Sequence, residues 1–150
     1  MSAHATSPLS LVGHEKVPYL QVMAAEADRL FLMMTALLSV ASLVLAVHNA
    51  QWTPFLAITL PSLVLVALQT RWLPGTRLSR CTVALVWMVL AATLIHQTHG
   101  MLETHFTVIV LIALLLYYRD WLPIVVAAGA IAVHHLLFFY LQSRGTPTPE

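Results

Sequence analysis

Five long apolar runs constrain this sequence more than any other feature. They cover about residues 30–48, 55–70, 81–96, 105–118 and 122–141. A helix needs about 20 residues to cross roughly 30 Å of hydrocarbon, so each run is near the length of a membrane span. The chain is 59% hydrophobic and 9% charged, with a mean hydropathy of +0.83, which excludes an ordinary soluble domain. The sequence therefore predicts an all-α, polytopic transmembrane helical bundle with five spans.

Short connections with turn-favouring residues separate the runs. They are residues 49–54, WLPGTR at 72–77, the region of Gly100, and RDWLP at 119–123. Short loops make consecutive helices antiparallel neighbours, and Pro61 is expected to kink the second helix. We expect residues 1–19 to form a cytoplasmic tail, residues 20–142 the membrane bundle, and residues 143–150 a polar C-terminal tail.

The basic residues predict the orientation of the bundle. Six of the seven Lys and Arg residues fall on one predicted side, and only Arg144 falls on the other: Lys16, Arg29, Arg71, Arg77, Arg80 and Arg119 share the first side. Lys and Arg are enriched in cytoplasmic loops, so the N-terminus is expected in the cytoplasm. The net charge of +1 gives no sign of a nucleic-acid surface, and the single Cys81 excludes a disulfide framework.

Histidine is the over-represented polar residue type, and it is concentrated in IHQTHGMLETH at residues 95–105. At 1.5 Å per residue, His96, His105 and His134 lie roughly 22, 20 and 18 Å from the inner ends of their spans. His96 and His99 are three residues apart and are expected to share a helical face. Gly100 is expected to end that helix and turn the chain back. Seven candidate residues thus fall in the predicted outer half of the membrane: His48, His96, His99, Glu103, His105, His134 and His135.

Metal ligation is the chemistry that this set of side chains favours. Imidazole nitrogens suit iron, copper and zinc, and a carboxylate compensates the charge of the ion. The seven residues are therefore candidate metal ligands, with iron or copper preferred and zinc as a third candidate. His134 and His135 point about 100° apart on a helix. Both would ligate metal only in a multinuclear site; otherwise one of them ligates the ion and the other orients that ligand.

Two alternatives to a non-haem metal stay open. Haem b requires only two opposed histidines, and His96, His105 and His134 are the candidates. A cofactor-free cluster would instead join the helices through hydrogen bonds. Ionisable groups inside membranes are costly and usually mark function, which favours a cofactor. His48 taken alone resembles an interfacial residue, and His4 and His14 belong to the predicted tail.

Two runs resemble a known family: HQTHGMLETHF at 96–106 and LLLYYRDWLPIVVAAGAIAVHHLLFFYLQ at 114–142. They resemble the membrane-embedded amino-terminal sensor region of certain bacterial methyl-accepting chemotaxis proteins and diguanylate cyclases, over roughly residues 20–142. The resemblance implies a homodimeric, multi-pass receptor in the bacterial inner membrane that feeds a cytoplasmic output module. The six histidine and glutamate positions from 96 to 135 match its motif, and His48 matches more weakly. This chain departs from the family by ending at RGTPTPE, on the predicted outer side, without that output module.

Two functions follow from these observations. The first is a sensory domain that detects a metal, oxygen or redox state through the histidine site. The alternative is a membrane oxidoreductase or electron carrier with a b-type haem or a di-metal centre. A metal transporter is disfavoured, because it would need polar residues throughout the bilayer and the inner halves of the spans have almost none. No catalytic residue is predicted, and the sensory hypothesis requires no enzymatic activity of this chain.

Overall fold

The computed structural model describes residues 8–145, with side chains from residue 22 onward, and this part of the chain is all-helical. The predicted all-α class is confirmed. The five helices are α1 (Pro8–His48), α2 (Trp52–Trp72), α3 (Arg77–Gln97), α4 (Leu102–Leu115, followed by a 3₁₀ turn over Leu116–Tyr118) and α5 (Trp121–Ser143). The expectations for His4 and for residues 146–150 lie outside the described residues, as do those for the side chains of His14 and Lys16.

Two sets of turns define the ends of the bundle. We call the end with the α1–α2 and α3–α4 turns, residues 49–51 and 98–101, the histidine end. The end with the α2–α3 and α4–α5 turns, residues 73–76 and 119–120, is the arginine end. The helices α1, α2, α3 and α5 are long and apolar enough to cross a membrane, whereas α4 with its 3₁₀ turn is shorter, at Leu102–Tyr118. Nevertheless, α4 connects the two ends of the bundle.

Local capping explains why α3 and α5 begin earlier than their apolar runs. The Thr76 hydroxyl oxygen accepts a hydrogen bond from the amide of Ser79 at 3.1 Å and so starts α3 at Arg77. The Asp120 carboxylate accepts one from the amide of Leu122 at 3.1 Å and starts α5. The first helix begins at Pro8 and takes in most of the segment 1–19.

The irregularity expected at Pro61 lies just before it. A π-helical turn over Phe55–Thr59 precedes the regular helix Leu60–Trp72. Proline has no amide hydrogen to donate to the carbonyl four residues earlier, and its ring crowds that carbonyl, so the preceding turn widens. The distortion therefore lies in the part of α2 nearest the histidine end.

The helix α3 is the centre of the bundle. It contacts all four other helices, with α1 and α2 on one side and α4 and α5 on the other. In its most apolar stretch 56% of the residues are buried, against 6% in α5. The last helix is therefore peripheral, and the described part of the chain leaves most of its surface uncovered.

An aromatic cluster joins α1, α3 and the end of α4. The ring of Phe31 lies edge-on to Trp87, with centroids 4.8 Å apart, and to Tyr118, with centroids 4.5 Å apart. Such edge-to-face contacts are the favoured aromatic geometry. The indole nitrogen of Trp87 donates to the Thr35 hydroxyl at 2.9 Å, so its one polar atom is paired although the side chain is fully buried.

The buried face of α1 is made of small and polar residues. Apart from the adjacent pair Ala27 and Asp28, they recur every three or four positions together with the large side chain of Phe31, and so share one face: Ala24, Ala27, Asp28, Thr35, Ser39, Ser42 and Ala46. The large apolar side chains of this helix, such as Met33, Leu37 and Val44, are exposed instead. Small residues at helix contacts and large apolar residues outside are the arrangement of a helix in lipid.

Candidate functional site

Four of the seven candidate ligands lie in or beside the turn between α3 and α4, and a Schellman motif shapes this turn. The amide of Gly100 donates to the carbonyl of Ile95 at 2.8 Å, and the amide of His99 donates to the carbonyl of His96 at 3.1 Å. This pair of hydrogen bonds forms when the residue that donates the second bond has a left-handed backbone conformation. His99 occupies that position with φ 55°, where glycine is usual, and Gly100 follows with φ 77°.

This turn corrects two expectations. His99 lies beyond the end of α3 at Gln97, so it does not share a helical face with His96. The left-handed residue that ends the helix is His99, one position before the Gly100 that was expected there. The reversal of the chain itself does occur, because α4 begins at Leu102 and the hydroxyls of Thr98 and Thr104 bond across the turn at 2.9 Å.

The seven candidate ligands are all exposed on the single chain. Residue by residue, they are His48 at the end of α1, His96 in the last turn of α3, His99 in the turn, Glu103 and His105 at the start of α4, and His134 and His135 in α5. Between residues 22 and 145, no three His, Cys, Asp or Glu side chains are close enough to hold one metal ion. The fold thus brings these residues to one half of the bundle without gathering them around a common point.

Two of the candidates are neighbours in α5. The rings of His134 and His135 have centroids 5.7 Å apart, and the ring of His134 also lies 4.6 Å from that of Phe138. The His105 ring nitrogen Nδ1 lies 3.1 Å from the carbonyl oxygen of Met101, within its own helix. Six of the seven candidates therefore form two groups, one around the α3–α4 turn and one pair on the peripheral helix, and His48 lies at the end of α1.

A buried glutamine connects the turn group to α1. Gln97 is fully buried beside the exposed His96. Its amide oxygen accepts from the Ser42 hydroxyl at 2.7 Å, and its amide nitrogen donates to the Ser42 carbonyl at 3.2 Å. The Asn49 amide also donates to the Gln97 carbonyl at 2.9 Å. The last residue of α3 is thereby held by Ser42 of α1 and by the side chain of Asn49 in the α1–α2 turn.

The same cluster reaches the distorted part of α2. The hydroxyls of Ser42 and Thr59 lie 2.9 Å apart. Ser42 has a single hydroxyl proton, which goes to Gln97, so Thr59 is the donor to Ser42. Thr59 is the last residue of the π-helical turn and is fully buried. Three helices therefore meet in one hydrogen-bonded polar cluster, which we call the Gln97 cluster.

A second polar cluster closes the arginine end around Asp28, whose side chain is fully buried. One carboxylate oxygen, Oδ2, accepts from the amide of Gly75 at 2.7 Å and from the hydroxyl of Ser79 at 3.1 Å. The other, Oδ1, accepts from the hydroxyl of Tyr118 at 2.5 Å. This Asp28 cluster joins α1, the α2–α3 turn, α3 and the end of α4 through neutral donors.

An ion pair lies next to the Asp28 cluster. The guanidinium of Arg80 bonds to the carboxylate of Asp120 at 2.9 Å and to the carbonyl of Gly75 at 3.0 Å. Both charged side chains are mostly buried, with 15% and 17% of their surfaces exposed. The guanidinium thus links the two turns of the arginine end, which also holds Arg29, Arg71, Arg77 and Arg119.

Sequence reasoning missed both buried clusters. Asp28 lies just before the first apolar run, at 30–48, and Gln97 lies between the candidate ligands His96 and His99, and neither belongs to the predicted site. A usable signal was present, because Asp28 and Ser42 belong to the regular series of small and polar residues in α1. In a membrane helix that series marks the packed face.

Comparison with known proteins identifies no relative of this chain. No protein family, no curated protein and no solved structure matches it.

Proposed function

We propose that this chain is the sensory domain of a signal-transduction receptor in the bacterial inner membrane. Its input is a transition metal ion, iron or copper before zinc, bound by histidines in the outer half of the bundle. One observation carries the proposal: the Gln97 cluster ties the residue next to His96 to α1, the longest helix. A change at the histidines therefore has a direct mechanical route into that helix.

The length of α1 supports its role as the output element. The helix has 41 residues, or about 60 Å at 1.5 Å per residue. It contacts the Gln97 cluster through Ser42 and the Asp28 cluster through Asp28 itself, and it continues about 30 Å beyond Asp28 toward Pro8. A ligand shifts such an element only if it binds two arrangements of the bundle with different affinity.

The sensing proposal predicts that metal binding moves α1 and that Gln97 transmits the motion. Spin labels at Val22→Cys and Leu78→Cys, both exposed positions, in a Cys81→Ser background, would measure the separation of α1 and α3. Adding Zn²⁺ should change this separation by about 1–2 Å, the size of typical signalling shifts of helices. Gln97→Leu should abolish the change, whereas Gln142→Leu, at an exposed glutamine of α5, should preserve it. An identical response in the two glutamine variants would contradict the proposal.

The metal itself is tested on protein purified from membranes without chelator. We expect iron or copper in near-stoichiometric amount, because the ionisable groups on these helices are too costly in lipid to be incidental. Elemental analysis and an optical spectrum give the answer together. A Soret band would identify haem b and favour the alternative of an electron carrier, while protein free of both metal and haem would refute a cofactor.

Five spans with a cytoplasmic N-terminus complete the proposal. The segment Leu102–Tyr118 has 17 residues, and with its 3₁₀ turn it covers about 27 Å, close to the hydrocarbon thickness of roughly 30 Å. The segment runs from the histidine end to the arginine end, as a membrane-spanning helix would. The concentration of Arg at one end supports placing that end in the cytoplasm.

Reporter fusions test this topology. A reporter fused after Arg77 or Arg119 should read cytoplasmic, and one inserted after Gln51 or Gly100 should read external. The reason is that six of the seven Lys and Arg residues fall on the first side. An external result at Arg77 would reverse the orientation, and external results at both Gly100 and Arg119 would remove α4 from the set of spans.

A further inference from the structure

We infer that a groove at the arginine end binds one anionic phospholipid, with Arg119 holding the phosphate and the end of α4 contacting the acyl chain. The inference goes beyond the proposed function, since it involves neither the histidines nor a metal. It requires only that the helices cross a membrane. It holds for either orientation of the bundle, because the arginine end then lies at a membrane surface in both.

The groove lies between α1 and the end of α4 and has a volume of about 420 Å³. This volume is within the range of about 300–1,000 Å³ that is usual for ligand pockets. Its lining is apolar except for one phenol and one guanidinium: Met23, Ala113, Leu114, Leu116, Tyr117 and Arg119. We call it the Arg119 groove. An apolar lining that ends in a cation suits an amphipathic ligand with an acidic head.

The level of the groove along the bundle fits that of lipid headgroups. Three aromatic side chains at this end have 70%, 53% and 70% of their surfaces exposed: Trp72, Tyr117 and Trp121. Exposed Trp and Tyr side chains mark the membrane–water interface. Arg119 lies two residues from both Tyr117 and Trp121, whereas Ala113 lies about 6 Å farther along α4 toward the histidine end. A phosphate at Arg119 therefore places its acyl chain beside the apolar lining.

The charge of Arg119 is available to a ligand. Its guanidinium is exposed and has no hydrogen-bond or ion-pair partner among residues 22–145. The adjacent carboxylate of Asp120 is already engaged, because it accepts from Arg80 and from the amide of Leu122. The guanidinium fork matches a phosphate through two parallel hydrogen bonds.

Charge complementarity favours an anionic headgroup over a zwitterionic one. The described side chains of the arginine end comprise five arginines and three acids, an excess of two positive charges. The ammonium group of a zwitterionic lipid would meet the same excess of positive charge, whereas an anionic headgroup carries no compensating cation. Basic residues at a membrane surface attract anionic lipids for this reason.

The backbone of Arg119 separates a binding role from a purely topological one. With φ 52° and ψ 31° this residue is left-handed, and it ends the 3₁₀ turn. Glycine is favoured in this conformation because a Cβ atom crowds the following carbonyl oxygen. A charge that only fixed the topology could occupy any position near the turn. A strained arginine at the edge of the groove therefore indicates that the side chain is needed at that point.

The test uses the full chain in detergent and native mass spectrometry, which counts bound lipids. Phosphatidylglycerol and phosphatidylcholine with identical acyl chains are titrated separately. We expect one phosphatidylglycerol per chain, bound at least about tenfold more tightly than phosphatidylcholine because of the excess positive charge. Inorganic phosphate has the charge without the chain, so an excess of it should not displace the lipid.

Matched variants locate the headgroup. Arg119→Gln should weaken the binding of phosphatidylglycerol by about thirtyfold or more, because the hydrogen bonds to the phosphate lose their charge. Arg71→Gln removes the same charge from an exposed position of the arginine end outside the groove. It should weaken binding no more than about fivefold, the effect of one basic residue near an anionic surface.

Arg119→Gly separates binding from structure. This variant removes the left-handed strain, so its midpoint of thermal unfolding in lipid-free detergent should be no lower than that of the parent. Its binding of phosphatidylglycerol should fall as in Arg119→Gln. An arginine with a structural role alone would give the reverse pattern, with lower stability and unchanged lipid binding.

A further pair of variants locates the acyl chain. Ala113→Phe fills the groove without changing its charge, and it should weaken the binding of phosphatidylglycerol about tenfold, as the loss of two buried methylene contacts would. Ala128→Phe adds the same ring at an exposed position of α5 and should leave binding unchanged.

The outcomes separate this inference from the proposed function. Equal affinity for the two lipids, or equal losses in Arg119→Gln and Arg71→Gln, would show diffuse charge attraction and overturn the inference. Displacement of the lipid by inorganic phosphate would identify a free anion as the ligand and overturn it too, as would unchanged binding in Ala113→Phe. These measurements contain no metal, so their failure would leave the proposed function standing, and metal-free protein would leave the lipid site standing.

Discussion

Replacing Asp28 with alanine is expected to destabilise this protein more than any other single change at a polar position. The substitution leaves three buried donors without an acceptor: the amide of Gly75 and the hydroxyls of Ser79 and Tyr118. Each unpaired buried donor costs about 1–3 kcal/mol. We expect a loss of at least about 3 kcal/mol in the free energy of unfolding, measured by SDS titration or thermal unfolding in detergent.

Two further variants make the Asp28 prediction specific. Glu26→Ala changes an exposed acid on the same helix and should alter stability by no more than about 0.5 kcal/mol. Asp28→Asn should lie between the two, because its remaining carbonyl oxygen can still accept from Gly75 and Ser79 while its amide donates to the Tyr118 oxygen. Equal stability of the Asp28 and Glu26 alanine variants would show that the cluster does not hold the bundle together.

Replacing Trp87 with alanine is expected to produce a loss of similar size by a different mechanism. The indole is fully buried at the point where α1, α3 and α4 meet, and its removal leaves a cavity beside Phe31. Truncation of a buried tryptophan to alanine costs about 3–5 kcal/mol. Thr35 also loses the donor that lies 2.9 Å from its hydroxyl oxygen. The same unfolding measurements report this loss.

The matched control for Trp87 is another tryptophan. Trp72 is 70% exposed, so Trp72→Ala removes an equal side chain without opening a cavity and should be far milder. Trp87→Phe keeps most of the ring volume and loses the bond to Thr35, which should cost about 1 kcal/mol for the hydrogen bond. A Trp72 variant as unstable as the Trp87 variant would contradict the central role of α3.

The approximate positions of the helices could be predicted from the sequence, because the location and length of each apolar run indicate where a helix lies. The runs at 30–48 and 122–141 correspond to α1 and α5, which extend beyond them at each start. The errors of the prediction concern the ends of the helices, because hydrogen bonds from local side chains determine where a helix begins. Thr76 and Asp120 cap helices that begin before or at the edge of the apolar run. His99 takes a left-handed conformation that residue type alone assigns to Gly100.

The candidate site was readable only in part. The sequence indicated that His96, His105 and His134 belong to the same half of the bundle, since depth follows from residue count along a helix. It did not indicate that these side chains stay exposed and separate on one chain. Counting residues gives height along a helix axis, whereas the rotation of each helix about its axis depends on what it packs against.

The sequence by itself determined that the chain forms apolar helices, roughly where they lie, and that the basic residues gather at one end, because hydropathy, length and charge are properties of the residues themselves. Only the tertiary structure decided that Asp28 and Gln97 are the buried polar centres. Nearly every face of these helices is apolar enough for lipid, so hydropathy does not select the packed face. Close approach of small residues and the pairing of buried donors with acceptors select it, and both depend on contacts between helices distant in sequence.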